Sequence, residues 1–136
     1  MSLRAIPLIV IAFIIYNLLV LTGGTAILDK SLFPVKMVSG GDWTFKVSDL
    51  VILATMILLF VELLKSTLTT TSSLVDHGLS MLVLMAALVE FLVVKQAATS
   101  VFFFILVATV IDVIAGFTIG IRVAKRDIGF SPGGHE

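Results

Sequence analysis

Between Arg4 and Asp29 the chain carries no charged residue. That run, residues 5–28, is 24 residues long. At about 1.5 Å of rise per residue it exceeds the ~20 residues needed to cross roughly 30 Å of hydrocarbon. A segment of this kind is a candidate membrane span. Composition decides for the bilayer. The chain is 59% hydrophobic and 13% charged, where an average soluble domain is about 25% charged, and its mean hydropathy is +1.20. A water-soluble globule and a disordered chain are thereby excluded. Nine basic residues balance nine acidic ones, which removes the basic footprint of a nucleic-acid binder. Without cysteine there is no disulfide, thiolate nucleophile, iron–sulfur cluster or cysteine-type zinc site.

The front of the run has features of a secretory signal, with Arg4 before it and Gly24-Thr25-Ala26 as a cleavage-like end. Its apolar stretch exceeds the ~7–15 residues usual for such signals, so it is read as a first membrane span. Three further apolar runs are interrupted by acids: residues 50–61 before Glu62, 78–89 before Glu90, and 101–111 before Asp112. Twelve residues reach only about 18 Å, so these runs cross a bilayer only if the carboxylates travel inside the helices. For the last run the energetics permit it. Residues 101–121 hold fourteen Leu, Ile, Val and Phe, together roughly −4 to −8 kcal/mol of insertion energy against ~+2.5–3.5 for one central Asp.

The expected architecture is an all-α membrane protein forming one domain. Four transmembrane helices cover residues 5–28, 49–66, 74–94 and 100–122 in an antiparallel up-down bundle, with a flexible tail over 127–136. Helices three and four, joined by a short connection, are expected to be antiparallel neighbours. The loop after the first helix, residues 33–47, reads as an extracytoplasmic β-hairpin turning on Gly40-Gly41. Such a turn places Val38 opposite Trp43 and puts Trp43, Phe45 and Val47 on one face. A lone hairpin is marginal in water and needs apolar support, with Trp43 as interfacial anchor. Arg4, Lys65, Arg122, Lys125 and Arg126 lie on one side of this layout, and Lys30, Lys36, Lys46 and Lys95 on the other. The dense group at Arg122, Lys125 and Arg126 marks the cytoplasmic side for both termini, beside lipid headgroups.

Catalytic patterns are weak. His77 and His135 do not make a zinc site, and Gly129-Phe130-Ser131-Pro132-Gly133 copies a nucleophile elbow without its strand–turn–helix context. The chain therefore reads as non-enzymatic, with no cofactor or metal. The informative residues are Glu62, Glu90 and Asp112, a ladder of carboxyls at graded membrane depth. Polar groups there are costly and face the bundle interior. Ala108, Asp112, Gly116 and Gly120 recur at i+4, and Gly116-xxx-Gly120 has the spacing of close helix packing. Tyr16 and Asn17 of the first span stand at the depth of Glu90, and Asn17 with Glu90 is the first expected pair. Glu62 also has Lys65 three residues away as an ion-pair partner. Asp76-His77 opens the third span as an acid favourable to the helix dipole beside an interfacial or pH-sensitive histidine.

Several stretches resemble a family of small four-helix inner-membrane proteins of proteobacteria with no assigned activity. They are Ser39-Gly40-Gly41-Asp42-Trp43 leading to Asp49-Leu50, Phe60-Val61-Glu62-Leu63-Leu64-Lys65, and Val75-Asp76-His77-Gly78-Leu79-Ser80-Met81. The others are Glu90-Phe91-Leu92-Val93, Ala98-Thr99-Ser100 and Ile111-Asp112-Val113-Ile114-Ala115-Gly116-Phe117. The likeness spans residues 39–126 and implies the topology and an inner-membrane location, without a function. Two functions fit the residues. One is a subunit that assembles with copies of itself or within a larger membrane complex, the carboxyls serving as interhelical polar contacts. The other is a proton- or cation-conducting oligomer with Asp112 at its centre.

Overall fold

The computed structural model describes residues 6–68 and 74–129, apart from the side chains of residues 68, 74 and 123–129. Four helices are present: α1 (Ile9–Gly23), α2 (Val47–Leu68), α3 (Leu74–Val93) and α4 (Ser100–Gly129). A 3-10 turn (Thr25–Asp29) and two antiparallel strands, β1 (Ser31–Lys36) and β2 (Asp42–Lys46), lie between α1 and α2, and a second 3-10 turn (Lys95–Ala97) precedes α4. Three of the helices hold apolar stretches long enough to cross a membrane: Val47–Thr67, Val75–Val93 and Ser100–Arg122.

The first helix is shorter than its apolar run. Fifteen residues rise about 22 Å, short of the hydrocarbon thickness, although 24 were expected to be helical. Backbone chemistry sets both ends. Pro7 precedes the helix, and its carbonyl takes the Val10 N–H at 3.2 Å. At the other end Gly24 turns to φ +71° while its N–H closes on Val20 O at 2.8 Å. A left-handed glycine of this kind stops a helix whatever the hydropathy of the residues beyond it. In contrast, α4 runs longer than expected, through Gly129, so the helix takes in the first three residues assigned to the tail. The rest of that tail, with Ser131, lies outside the described residues, as does most of the Ser/Thr connection between α2 and α3.

The helices alternate in direction. Leu8, just before α1, meets Glu62 near the end of α2; Tyr16 meets Thr99 at the start of α4; Phe91 late in α3 lies 6.2 Å, ring to ring, from Phe102 early in α4. Adjacency does not follow chain order, however. Helix α4 packs against α1, α2 and α3, whereas α2 and α3, consecutive in sequence, have no comparable contact. Phe102, Ile105, Ala108, Thr109 and Asp112 of α4 are buried at helical spacing, which gives the central helix its inner face. Helix α3 uses one stripe, with Ala87 fully buried and Leu84 and Phe91 beside it. Its outer residues Leu82, Met85, Val89, Leu92 and Val93 are exposed.

An apolar exterior is the distinguishing property of the bundle. Leu18 and Leu21 on α1, Met56 and Phe60 on α2, and Ile114 and Ile121 on α4 also point outward. Water would penalise such a surface; acyl chains do not. Hydroxyls on the helices are meanwhile returned to their own backbones: Thr22 to Leu18 O, Thr55 to Val51 O, Thr109 to Leu106 O and Thr118 to Ile114 O, at 2.6 to 2.8 Å. That is how a polar side chain is satisfied where no water reaches it.

The hairpin has a different register from the one its glycines imply. Lys36 pairs with Asp42, Val35 with Trp43, Pro34 with Thr44 and Phe33 with Phe45. Val38, expected opposite Trp43, sits at the tip with 108% relative exposure. The reason is the turn. Met37 O takes the Gly40 N–H at 3.0 Å, Met37 N–H reaches Gly41 O at 2.8 Å, and Gly40 alone adopts positive φ, at +92°. This is a three-residue loop ending in a left-handed glycine, in place of a two-residue turn on both glycines. The register moves by three, and because side chains alternate with period two, an odd shift exchanges the faces of β1. Phe33 and Val35, rather than Pro34 and Lys36, therefore join Trp43 and Phe45. The ladder continues through Val47 N–H to Lys30 O at 3.0 Å. Strand β2 then enters α2 without a linker, the Lys46 N–H being taken by Asp49 Oδ2 at 3.0 Å as in the acid half of a capping box.

Candidate functional site

Two polar groups interrupt the apolar interior, at opposite ends of α1. The first forms around Glu62. Its Oε2 accepts the Leu8 N–H at 3.0 Å and stands 3.4 Å from Lys65 Nζ. Leu8 caps α1 without any side-chain bond of its own kind, so a carboxylate from α2 satisfies an orphan donor at the positive end of the α1 dipole. Asp112, on α4, is near enough to Glu62 and Lys65 for both charges to act on it. Glu62 is 6% exposed and Asp112 4%, so this group is enclosed where α1, α2 and α4 meet.

The second group forms around Tyr16. Its hydroxyl lies 2.7 Å from Gln96 O and 2.7 Å from Thr99 Oγ1, and Thr99 Oγ1 is 3.2 Å from the Phe102 N–H. Only one arrangement of protons serves all four atoms. Tyr16 donates to the Gln96 carbonyl, Thr99 donates to Tyr16, and the Phe102 amide donates to Thr99. Thr99 is thus both the N-cap of α4 and the bond that holds α1 to it. Glu90 of α3 lies beside these residues. The Asn17 amide donates to Phe13 O at 2.9 Å, and its side chain lies near the Glu90 carboxyl. Glu90 Oε2 is buried without a partner among the described residues. Next to this group an open depression of about 630 Å³ is lined by Asp29, Ser48, Ile52, Thr99 and Ser100 among others.

The structure therefore brings together Asn17, Tyr16 and Glu90 in one group and Glu62 with Asp112 in another; the three carboxyls do not share a site. Between the groups lie Ile9 and Ala12 on α1 and Ile105 and Ala108 on α4, all buried. Thr99 and the Gln96 carbonyl were not singled out in the sequence; the Ala98-Thr99-Ser100 stretch before an apolar run was the available signal. His77 lays its ring on Phe117, centroids 4.2 Å apart and 15° from parallel, so it joins α3 to α4. Asp76 occupies the first turn of α3. Ala108 packs against Ile9 and Ala12, but a Cβ added at Gly116 would meet nothing within 4 Å. Among the described residues the expected close helix contact at Gly116 is thus not made, although Gly116 continues the stripe of Ala108 and Asp112: α1 begins at Ile9, which packs beside Ala108, and no described side chain reaches Gly116 farther along that face. Gly120 is partly covered and Arg122 exposed, while the side chains of Lys125 and Arg126 lie outside the described residues.

These features define a mostly helical protein with three helices fit to cross a membrane and a small β-hairpin at one end. Comparison with protein-family models, curated proteins and solved structures finds no match.

Proposed function

We propose that the chain is a non-enzymatic integral protein of a bacterial inner membrane that assembles with copies of itself or serves as an accessory subunit of a larger membrane complex. The carrying observation is the open surface at Gly116, next to an α3 that packs along one stripe only. Helices in lipid gain nothing from hydrophobicity when they associate and rely on close backbone approach at small residues. Among the described residues no side chain stands on the Gly116 backbone, which leaves such a surface for a further helix. In this reading both termini are cytoplasmic and the hairpin lies on the opposite side, an orientation supported by the cationic sequence at Arg122, Lys125 and Arg126. The polar groups then act as interhelical contacts that set the register of α1 against α2 and α4. Conduction by a single chain is disfavoured by the buried layer between them, apolar but for Thr55 and Thr109, whose hydroxyls bond to their own backbones; such a path would have to form between copies.

Native mass spectrometry in mild detergent tests the proposal. The wild-type chain is expected above 14.6 kDa, and Gly116→Leu, whose Cβ meets no described residue within 4 Å, is expected as a folded monomer. A wild-type monomer at every concentration, with no co-purifying partner, would overturn the assignment.

A further inference from the structure

The register of the hairpin sorts its side chains into two unlike faces. Phe33, Val35, Trp43 and Phe45 share one by the alternation of a strand. Phe33 stacks on Phe45 at 4.9 Å, and Trp43 meets Phe45 edge-on at 5.6 Å. The other face holds Pro34, Lys36, Asp42, Thr44 and Lys46. The helices of the chain do not cover the aromatic face: Phe33 is 50% exposed and Trp43 43%. The apolar span of α2 begins at Val47, immediately after β2, so the hairpin starts at the edge of the hydrocarbon with no slack.

We infer that the aromatic face of the hairpin lies on the bilayer surface, taking lipid at the headgroup–acyl boundary as its ligand, with Lys36 and Lys46 turned to the water and phosphate side. Length and sidedness together favour lipid over water. Four residue steps lead from Trp43 to Val47, about 13 Å at ~3.3 Å each, whereas the polar zone on one side of a bilayer is only about 5–7 Å deep. Standing upright, the hairpin would lift Trp43 beyond the headgroups and show three rings to water. Lying flat, it keeps tryptophan at the depth that such rings prefer, and the lysine stems extend to phosphate. The inference needs helices that cross a bilayer and stands whether or not the chain assembles.

Trp43 is the single tryptophan, so its emission reports this face alone. The full chain is reconstituted in phosphatidylcholine vesicles carrying bromine either near the headgroup end or near the middle of the acyl chains. Trp43 is expected to emit blue-shifted light, to be quenched more by the shallow bromines than by the deep ones, and to resist acrylamide. Moving the reporter to the opposite face, in Trp43→Phe with Thr44→Trp, is expected to shift emission to the red and to abolish bromine quenching. Three results would overturn the inference. Red emission from Trp43 with strong acrylamide quenching means an upright hairpin. Blue emission untouched by bromine means a covering of protein, such as a second copy. Equal quenching at positions 43 and 44 means that the hairpin has no lipid-facing side.

Discussion

The Glu62 carboxylate sits 3.0 Å from the amide nitrogen of Leu8, fifty-four residues earlier in the chain, and so closes the open end of a helix to which it does not belong. The same oxygen faces Lys65, so one acid serves a backbone donor and a cation together. Loss of the carboxylate leaves a partly buried N–H unpaired, and hydrogen bonds to charged groups are worth about 1.5–3 kcal/mol. Glu62→Ala is expected to destabilise the protein by about 2 kcal/mol and Glu62→Gln, which keeps an acceptor, by less. Unfolding in mixed detergent micelles, followed by helical circular dichroism, measures both.

Tyr16 and Thr99 share one hydrogen-bonded chain, so their substitutions should not add. Tyr16→Phe and Thr99→Val are each expected to cost about 1–2 kcal/mol, and the double variant less than the sum by roughly 0.5–1.5 kcal/mol. A double-mutant cycle in the same unfolding assay gives the coupling. Strict additivity would contradict the arrangement of protons drawn for these residues.

The two glycines of the hairpin tip should respond differently to alanine. Gly40 has φ +92°, while Gly41 is outside the left-handed region with Ser39 Oγ 3.5 Å from an added Cβ. Gly40→Ala is expected to strain the turn by about 1–2 kcal/mol and to weaken the cross-strand order seen by amide hydrogen exchange at Val35 and Trp43. Gly41→Ala is expected to leave that protection intact. Equal effects would indicate the two-residue turn instead.

Adjacent alanines on α3 offer a test of its single packed stripe. Ala87 is fully buried in the contact with α4, and Ala86 is exposed. Ala87→Leu overpacks that contact and is expected to destabilise by about 1–3 kcal/mol, with loss of the His77–Phe117 ring contact visible in the imidazole resonances. Ala86→Leu adds a side chain toward lipid and is expected to change stability little.

The covalent order of residues determined which segments are helical and that three of them are long and apolar enough to cross a membrane. Long charge-free or singly charged apolar runs have nowhere stable except a bilayer, and there a backbone must satisfy itself as helix; α2, α3 and α4 follow from that alone. Glycine chemistry was harder to weigh. Gly23-Gly24 inside an apolar run stops α1, and Gly40-Gly41 permits two turns that differ by three residues of register. Periodicity cannot choose between those turns, because each is locally sound and only the pairing of Phe33 and Val35 with Trp43 and Phe45 favours one. The short connection already paired α3 with α4, but only the tertiary structure decided that α4 also packs against α1 and α2. Hydropathy tells a helix to leave water without naming its neighbour, and in lipid every apolar face is equally content. For α1 the neighbours are selected by polar and specific contacts, the Leu8 amide on Glu62 and the Tyr16 hydroxyl between Gln96 and Thr99, partners 54 and more residues apart that meet only once the helices have packed. For α3 they are selected by the fit of Ala87, Phe91 and the His77 ring against α4.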